Sequence, residues 1–316
     1  MNRIYNFKSN KKNKRIVKYI IAPLLAFIII VFCPFSSFSL SVQAADTVVK
    51  NEKFQLDFTD SNDTGTVKIN ALEKTDKKIK VQILQGDTKY DYDLNGEGKV
   101  ESYPMQWGNG EYTVRVMLQS SANKYSVGIS TKYTLNLKEP NAIFMNANQI
   151  VNFTKDSKIV KKAAELIKGC ETELARVEAI YVFVIDSLKY DTQLASNPPV
   201  GYVPDVDKVV DSGKGICFDY AAVFAAMLRS QGIPAKLVMG HVKSPSGEAV
   251  YHAWNEFYLK DKGGWFMINE MKLEGNGRFE RVDPTLESSN RKDNKTNKAM
   301  VKFIGDGSNY SKSWEF

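Results

Sequence analysis

The sequence predicts an α+β protein whose first half is an all-β unit and whose second half packs a buried helix on antiparallel strands. Three observations support this prediction. Apolar and polar residues alternate with a period of two across residues 53–137, as in half-buried strands. Residues 221–228 hold no polar side chain, so a helix there must be buried. Runs rich in aliphatic and aromatic residues at 235–242 and 250–259 follow and are typical of strands.

The all-β unit is expected over residues 45–139. Turns at Asn95-Gly96 and at 108–110 separate its alternating segments, which favours a β-sandwich with one core. Residues 110–114 resemble a late strand of bacterial immunoglobulin-like modules, so an immunoglobulin-like sandwich is expected. Such a module could position substrate, act as a spacer or bind a partner. The predicted strands are 54–58, 67–69, 79–83, 90–94, 112–118 and 133–137.

Residues 1–44 have the pattern of a cleaved export signal. An apolar run at 19–32 follows a basic start, and Val42-Gln43-Ala44 has the small residues of a signal-peptidase site. The run is short for a membrane span and contains Pro23, which favours a cleaved signal over an anchor. We therefore expect cleavage near Ala44, a secreted or cell-surface protein, and contact with the membrane only during export.

The formal charge of +7 belongs to this signal. Lysine and arginine number 43 against 36 acidic residues, and the excess equals the seven basic side chains of the first eighteen positions. No later basic patch with interleaved aromatics and no phosphate-binding glycine loop is present, so we expect no nucleic-acid partner. Export would place the substrate outside the membrane, as a protein or peptide such as a cell-wall or surface protein.

Cys217 has the setting of a nucleophile. Gly213 and Gly215 precede it, and Gly232 with Pro234 ends the predicted helix that it begins. Free backbone N–H groups and the positive end of the helix dipole stabilise a thiolate in the first turn. The alternatives are an ordinary buried thiol or half of a disulfide.

A cysteine nucleophile needs a base and a group that orients the base. The chain has two histidines: His252 lies in the aromatic-rich strand 250–259, whereas His241 closes the strand before it and has no motif around it. Asp283 stands before Pro284 at a predicted strand end. Cysteine, histidine and aspartate thus fall on successive predicted elements, as a catalytic triad requires, and we interpret His241 as a structural strand residue.

Four ordered motifs resemble the transglutaminase-like superfamily, and the similarity extends over about residues 155–287. The resemblance implies a papain-like α+β core, here residues 140–316, with a Cys-His-Asp triad at Cys217, His252 and Asp283. The motifs are Gly-Lys-Gly-Ile-Cys-Phe-Asp-Tyr-Ala at 213–221, Arg-Ser-Gln-Gly-Ile-Pro-Ala-Lys at 229–236, His-Ala-Trp-Asn-Glu at 252–256 and Val-Asp-Pro-Thr at 282–285.

The chain departs from this family at one point. Family members usually carry a tryptophan four residues before the aspartate, and Phe279 occupies that place here. Residues 264–277, which include Trp265, are predicted to form an extra hairpin and to change the shape of the substrate cleft.

Other residues near Cys217 have secondary interpretations. Asp219 is read as a capping residue, and the Cys217 backbone N–H as an oxyanion donor, with Tyr190 and Trp254 as candidates for a second donor. Cys170 is either a free thiol or the disulfide partner of Cys217, and Cys33 would leave with the signal. We expect no cofactor and no metal, because no histidine–cysteine cluster is present.

Three functions remain open at the level of sequence. The first is an exported cysteine acyltransferase of transglutaminase type, which joins glutamine to an amine through a Cys217 thioester. The second gives the same thioester to water and is a cysteine peptidase or amidase. The third is a non-catalytic surface binding protein, which is disfavoured because nucleophile, base and acid are all present.

Overall fold

The computed structural model describes residues 47–243, 247–267 and 309–316, and it has the mixed helical and antiparallel-sheet architecture that was predicted. The first half contains β1 (Val48–Lys50), β2 (Phe54–Asp57), α1 (Ser61–Thr64), β3 (Thr66–Ala71), β4 (Ile79–Gln85), β5 (Thr88–Leu94), β6 (Glu101–Pro104), β7 (Gly110–Ser121) and β8 (Lys124–Leu135). After a 3-10 turn at Ala142–Phe144, the second half contains α2 (Lys158–Leu166), α3 (Glu173–Ser187), β9 (Lys189–Tyr190), α4 (Thr192–Ser196), α5 (Val206–Ser212), β10 (Lys214–Gly215), α6 (Cys217–Ser230), β11 (Ala235–Lys243), β12 (Ala249–Leu259), β13 (Gly264–Met267) and β14 (Tyr310–Glu315).

The first half forms two four-stranded antiparallel sheets. Their strand orders are β1-β2-β3-β6 and β5-β4-β7-β8. The inward positions of β2, β3 and β4 are fully buried and alternate with partly exposed ones, which confirms the predicted period of two. A closer relation to immunoglobulin-like modules stays a prediction.

The strands that the pattern missed lie at sheet edges. Most of β8 was not predicted, because residues 124–132 are largely polar and largely exposed. β6 was missed as well, since it is four residues long and ends in Pro104, and β1 has three residues. An edge strand has a neighbouring strand on one side only and is more exposed to solvent. Such strands therefore lack the apolar alternation on which the prediction depends.

The second half is built around α6. Every residue from Phe218 to Arg229 is buried, and α6 packs against α2, α3 and α5 on one side and against β11 and β12 on the other. The sheet has the order β13-β12-β11-β14, so the last strand pairs with β11. Helices α2 and α3 lie where apolar residues recur at helical spacing over 156–168 and 171–188, and the proline-containing stretch 192–206 begins with the short helix α4.

Strand β14 also contacts the sandwich. Tyr90 of β5 lies at the centre of this contact: its ring is 4.8 Å from that of Trp314 and 5.5 Å from that of Phe316. The backbone N–H of Glu315 donates to the Tyr90 hydroxyl at 3.0 Å. The buried residues of both halves form one continuous core, so the sandwich is packed against the helical half through β14.

No helix in the described part of the chain is long and apolar enough to span a membrane.

Because Trp314 joins the two halves, we predict that Trp314→Ala lowers the free energy of unfolding by about 3 kcal/mol. This is the loss expected when removal of a large aromatic side chain leaves a cavity. Denaturant unfolding with hydrogen-exchange mass spectrometry should show loss of protection in β5 and in β11 together. Val127→Ala is the control, since Val127 is 56% exposed on β8 and should have little effect. Loss of protection in β11 alone would contradict a shared core.

Glu315 ties β14 to its neighbours through charge. Its carboxylate lies 2.8 Å from Lys236 Nζ and 3.2 Å from Lys312 Nζ. Burial opposes ionisation, but these two ammonium groups lower the pKa of Glu315 below its ordinary 4.5. A carboxylate with a lowered pKa stabilises the fold above its unfolded pKa, and this contribution disappears as the pH falls through the folded value.

We therefore predict that Glu315→Gln lowers the free energy of unfolding at pH 7 and that the difference from wild type shrinks below a pH of about 4.5. Urea unfolding at a series of pH values measures this difference. Glu97→Gln is the control, because its ion pair with Lys99 is solvated and should contribute little. A difference that stays constant down to pH 3 would show that packing, not charge, is responsible.

Candidate active site

Cys217 is the first residue of α6, and Ile216 is the residue that caps the helix. The helix behind it is closed to solvent, whereas Cys217 itself is half-buried. The thiol therefore lies at an accessible end of an otherwise buried helix, next to the backbone N–H groups of the first turn. This is the position that the sequence predicted for the nucleophile.

Asp219 caps this first turn, as interpreted from the sequence. The carboxylate is fully buried, and its Oδ2 accepts a hydrogen bond from the Ile216 backbone N–H at 2.8 Å. Its Oδ1 accepts one from the Tyr202 hydroxyl at 2.7 Å. Burial raises the pKa of Asp219, and the two hydrogen bonds work in the opposite direction. A Cβ at Gly215 would lie 2.6 Å from that of Asp219, so a glycine is required there.

A short pair of parallel strands, β9 and β10, fixes the position of the segment that precedes Cys217. Tyr190 of β9 is the register partner of Gly215 in β10, and the Asp191 N–H donates to the Gly215 carbonyl at 2.9 Å. The Tyr190 side chain is 37% exposed. Tyr190 is thus placed beside the chain two residues before Cys217, and its part as an oxyanion donor stays a prediction.

His252 lies half-buried on β12, directly opposite Gly240 of β11. Its ring centroid is 6.5 Å from that of Trp254, with the planes 19° apart, and 6.5 Å from that of Tyr310. A Cβ at Gly240 would come within 2.9 Å of Trp254 Cη2 and 2.1 Å of the Ser311 carbonyl oxygen. Gly240 is therefore required for the indole to lie across β11.

Asn255 joins the strand of His252 to the helix of Cys217. Its buried Nδ2 donates to the Ala221 carbonyl at 2.9 Å and to the Lys236 carbonyl at 3.1 Å. Asn255 therefore holds β12 against α6 at a point three residues beyond His252. The structure thus places the two predicted residues, Cys217 and His252, on elements that pack directly against each other.

The remaining predicted site residues are placed as follows. Asp283 lies outside the described residues, as does Phe279. Trp265 lies on β13, which is the first strand of the predicted extra hairpin. His241 is exposed near the end of β11, with its ring 5.4 Å from that of Tyr251.

Cys170 and Cys217 are both free thiols in the structure, so no disulfide occupies the candidate nucleophile. Cys170 is half-buried between α2 and α3, and its thiol donates to the Leu166 carbonyl at 3.9 Å. Within the residues that are described, no group of three or more histidine, cysteine, aspartate or glutamate side chains is arranged to hold a metal ion.

Comparison with known proteins agrees with these motifs. Residues 160–269 match the family model of the Transglutaminase-like superfamily, and the chain therefore carries a transglutaminase-like domain. Kyphoscoliosis peptidase of Homo sapiens is 28% identical over 144 residues, which are 43% of this chain and 21% of the human protein. The mouse protein is 28% identical over 124 residues, or 37% of this chain and 18% of its own length. The chain thus spans about a fifth of the length of these relatives.

Two solved structures are similar to parts of the chain. One is a protein from Cytophaga hutchinsonii that has been proposed to be a cysteine protease, with 16% identity, a TM-score of 0.37, and coverage of 75% of this chain and 68% of that one. The other is red sea bream transglutaminase, with 13% identity, a TM-score of 0.26, and coverage of 70% and 48%.

Two residues of the site were missed by sequence reasoning. Asn255 belongs to the motif at 252–256 and carried no prediction of its own, although a polar residue in the middle of an apolar strand indicates a buried hydrogen bond. Tyr202 lies in a stretch with Pro198, Pro199 and Pro204, a composition that is typical of a rigid loop. Nothing in the local sequence indicated that Tyr202 reaches Asp219.

We predict that Asn255→Ala lowers the free energy of unfolding by about 2 kcal/mol, because the buried carbonyls of Ala221 and Lys236 lose their side-chain donor. Asn255→Asp should be more destabilising, since the acid cannot donate and buries a charge. Urea unfolding of both variants tests the order. Equal stability of the two variants would show that the amide N–H groups are not what holds β12 to α6.

Proposed function

We propose that this protein is a cysteine acyltransferase that acts through a thioester on Cys217, with transglutaminase-type transfer to an amine as its reaction. The observation that carries this proposal is the half-buried Cys217 at the start of a fully buried helix, packed directly on the strand of His252. The transglutaminase-like domain over residues 160–269 supports the same class of chemistry.

In the first step, the Cys217 sulfur attacks the carbonyl carbon of a glutamine side-chain amide. A carbon–sulfur bond forms, the carbon–nitrogen bond breaks, and ammonia leaves with the proton that His252 took from the thiol. The Cys217 backbone N–H at the helix start is the proposed donor to the oxyanion, with Tyr190 or Trp254 as the second donor. Asp283 is proposed to orient the imidazole and to stabilise its charged form.

In the second step, an amine nitrogen attacks the thioester carbonyl. His252 accepts the amine proton, the carbon–sulfur bond breaks, and the proton returns to the thiolate. Water in place of the amine gives hydrolysis by the same route. Hydrolysis is the second candidate, and the observation that favours it is that the two curated relatives are both named peptidases.

We propose that the substrate is a protein or peptide outside the membrane, such as a cell-wall or surface protein. The export signal predicted over residues 1–44 is the support for this location. An extended polypeptide also suits a nucleophile that is only half-buried at the end of its helix. No cofactor takes part in the proposed reaction, because the thiol, the imidazole and the carboxylate together account for every proton transfer.

We predict that reduced protein lacking residues 1–44 incorporates a fluorescent amine into a glutamine-containing protein, as detected by mass spectrometry. Cys217→Ala should abolish the product, and His252→Ala should lower its rate by about a thousandfold or more, as is typical when a triad member is removed. Cys170→Ala is the matched control and should keep wild-type activity, because Cys170 lies between α2 and α3.

The products distinguish the candidates. Cleavage or deamidation that depends on Cys217, without amine incorporation, would replace the transferase by the hydrolase. Full activity of His252→Ala with loss in His241→Ala would show that the base was assigned to the wrong histidine. Products that depend on neither Cys217 nor His252 would contradict the proposed thioester chemistry and favour the non-catalytic binding protein.

A further inference from the structure

We propose that Tyr202 is a positioning residue for Cys217: its hydroxyl holds the Asp219 carboxylate, which in turn holds the backbone at the start of α6. This inference rests on the proposed role of Cys217 as nucleophile. Tyr202 comes from outside α6 and from outside the strands that carry the other candidate residues.

A chain of two short hydrogen bonds connects Tyr202 to the residue before the cysteine. The Tyr202 hydroxyl donates to Asp219 Oδ1 at 2.7 Å, and the Ile216 N–H donates to Asp219 Oδ2 at 2.8 Å. The Tyr202 ring also lies 6.4 Å from that of Phe218 in an edge-on arrangement at 74°. The tyrosine therefore contacts both residues that follow Cys217, and through Asp219 it fixes the residue that precedes it.

The hydroxyl is important because Asp219 is buried. A fully buried carboxylate keeps its place only when each oxygen has a donor, and among the described contacts one donor is a backbone N–H and the other is Tyr202. Asp191 makes the environment less favourable, since its charge opposes ionisation of both Asp219 and Tyr202. Without the hydroxyl, Asp219 would hold the Ile216 N–H less firmly and the first turn of α6 would loosen.

The loop that carries Tyr202 is exposed at its tip, whereas Val203 and Pro204 after Tyr202 pack against the protein. It runs between α4 and α5 over residues 197–205, and Val200 at its tip is 99% exposed. Asp205 closes the loop by capping α5 through the Lys208 N–H at 3.2 Å. Tyr202 is thus the point at which an exposed loop is attached to the turn of the nucleophile, so a change in the loop is transmitted to Cys217.

The test measures the reactivity of Cys217 without any protein substrate. In a Cys170→Ala background, the second-order rate constant for alkylation by iodoacetamide is determined for wild type, Y202F, D219N and the double variant, with thermal unfolding as a check of the fold. We expect Y202F to slow alkylation by about tenfold, the size of one hydrogen bond to a charged acceptor. Y133F is the control, because the Tyr133 hydroxyl bonds Asn62 in the sandwich, and its rate should not change.

The double variant tests whether Tyr202 acts through Asp219. D219N keeps an acceptor and a donor at this position but removes the charge. Y202F in the D219N background should therefore slow alkylation by about threefold or less. Equal effects of Y202F in both backgrounds would overturn the proposal. If Y202F fails to fold, D219N alone decides: a slower alkylation supports the link, and an unchanged rate refutes it.

Turnover separates this inference from the proposed function. Where amine incorporation is found, Y202F should lower kcat with little change in KM, whereas a substrate-contacting role would raise KM. Alkylation that slows in Y202F while no variant shows turnover would leave the positioning role intact and remove the proposed function. Cys217-dependent turnover with wild-type alkylation and kcat in Y202F would leave the function intact and remove the positioning role.

Discussion

The burial of α6 is the constraint on which the rest of the second half depends. A helix without a polar face must be covered on all sides, and helices α2, α3 and α5 together with strands β11 and β12 supply that cover. Polar side chains occur only toward its two ends. Asp219 in the first turn and Arg229 in the last are both buried. Asp219 accepts from one backbone N–H and from the Tyr202 hydroxyl, whereas Arg229 donates to backbone carbonyls. The two ends of α6 therefore determine where the neighbouring segments run.

The C-terminal end of α6 collects three distant parts of the chain. Burial lowers the pKa of the Arg229 guanidinium, which donates to the carbonyls of Ala235, Asn146 and Phe316 at 2.8, 2.8 and 2.6 Å. These acceptors belong to the start of β11, the linker after the sandwich and the residue that follows β14. Because β14 also contacts Tyr90 of the sandwich, the position of the first half is set indirectly by the same helix.

The N-terminal end of α6 is satisfied differently, by a side chain of its own first turn, and it carries the candidate nucleophile. The backbone N–H groups of a first turn need acceptors, and Asp219 provides one to Ile216 while Cys217 stays half-buried. The thiol thus stays accessible while the turn around it is held in place by Asp219. The rigidity depends on Tyr202, which approaches from a separate loop and bonds Asp219. The first turn around the candidate nucleophile is therefore held both by its own helix and by this loop.

The sequence by itself determined the elements whose signal is local. The all-apolar stretch after Cys217, the capping position of Asp219 and the strand of His252 are all readable, because helix starts and strand alternation involve residues that are close in the chain. Only the tertiary structure decided that Tyr202 reaches Asp219, that Asn255 joins β12 to α6, and that β14 packs between β11 and the sandwich. Those contacts join residues 17 to 225 positions apart, and no local pattern records which distant side chain will satisfy a buried polar group.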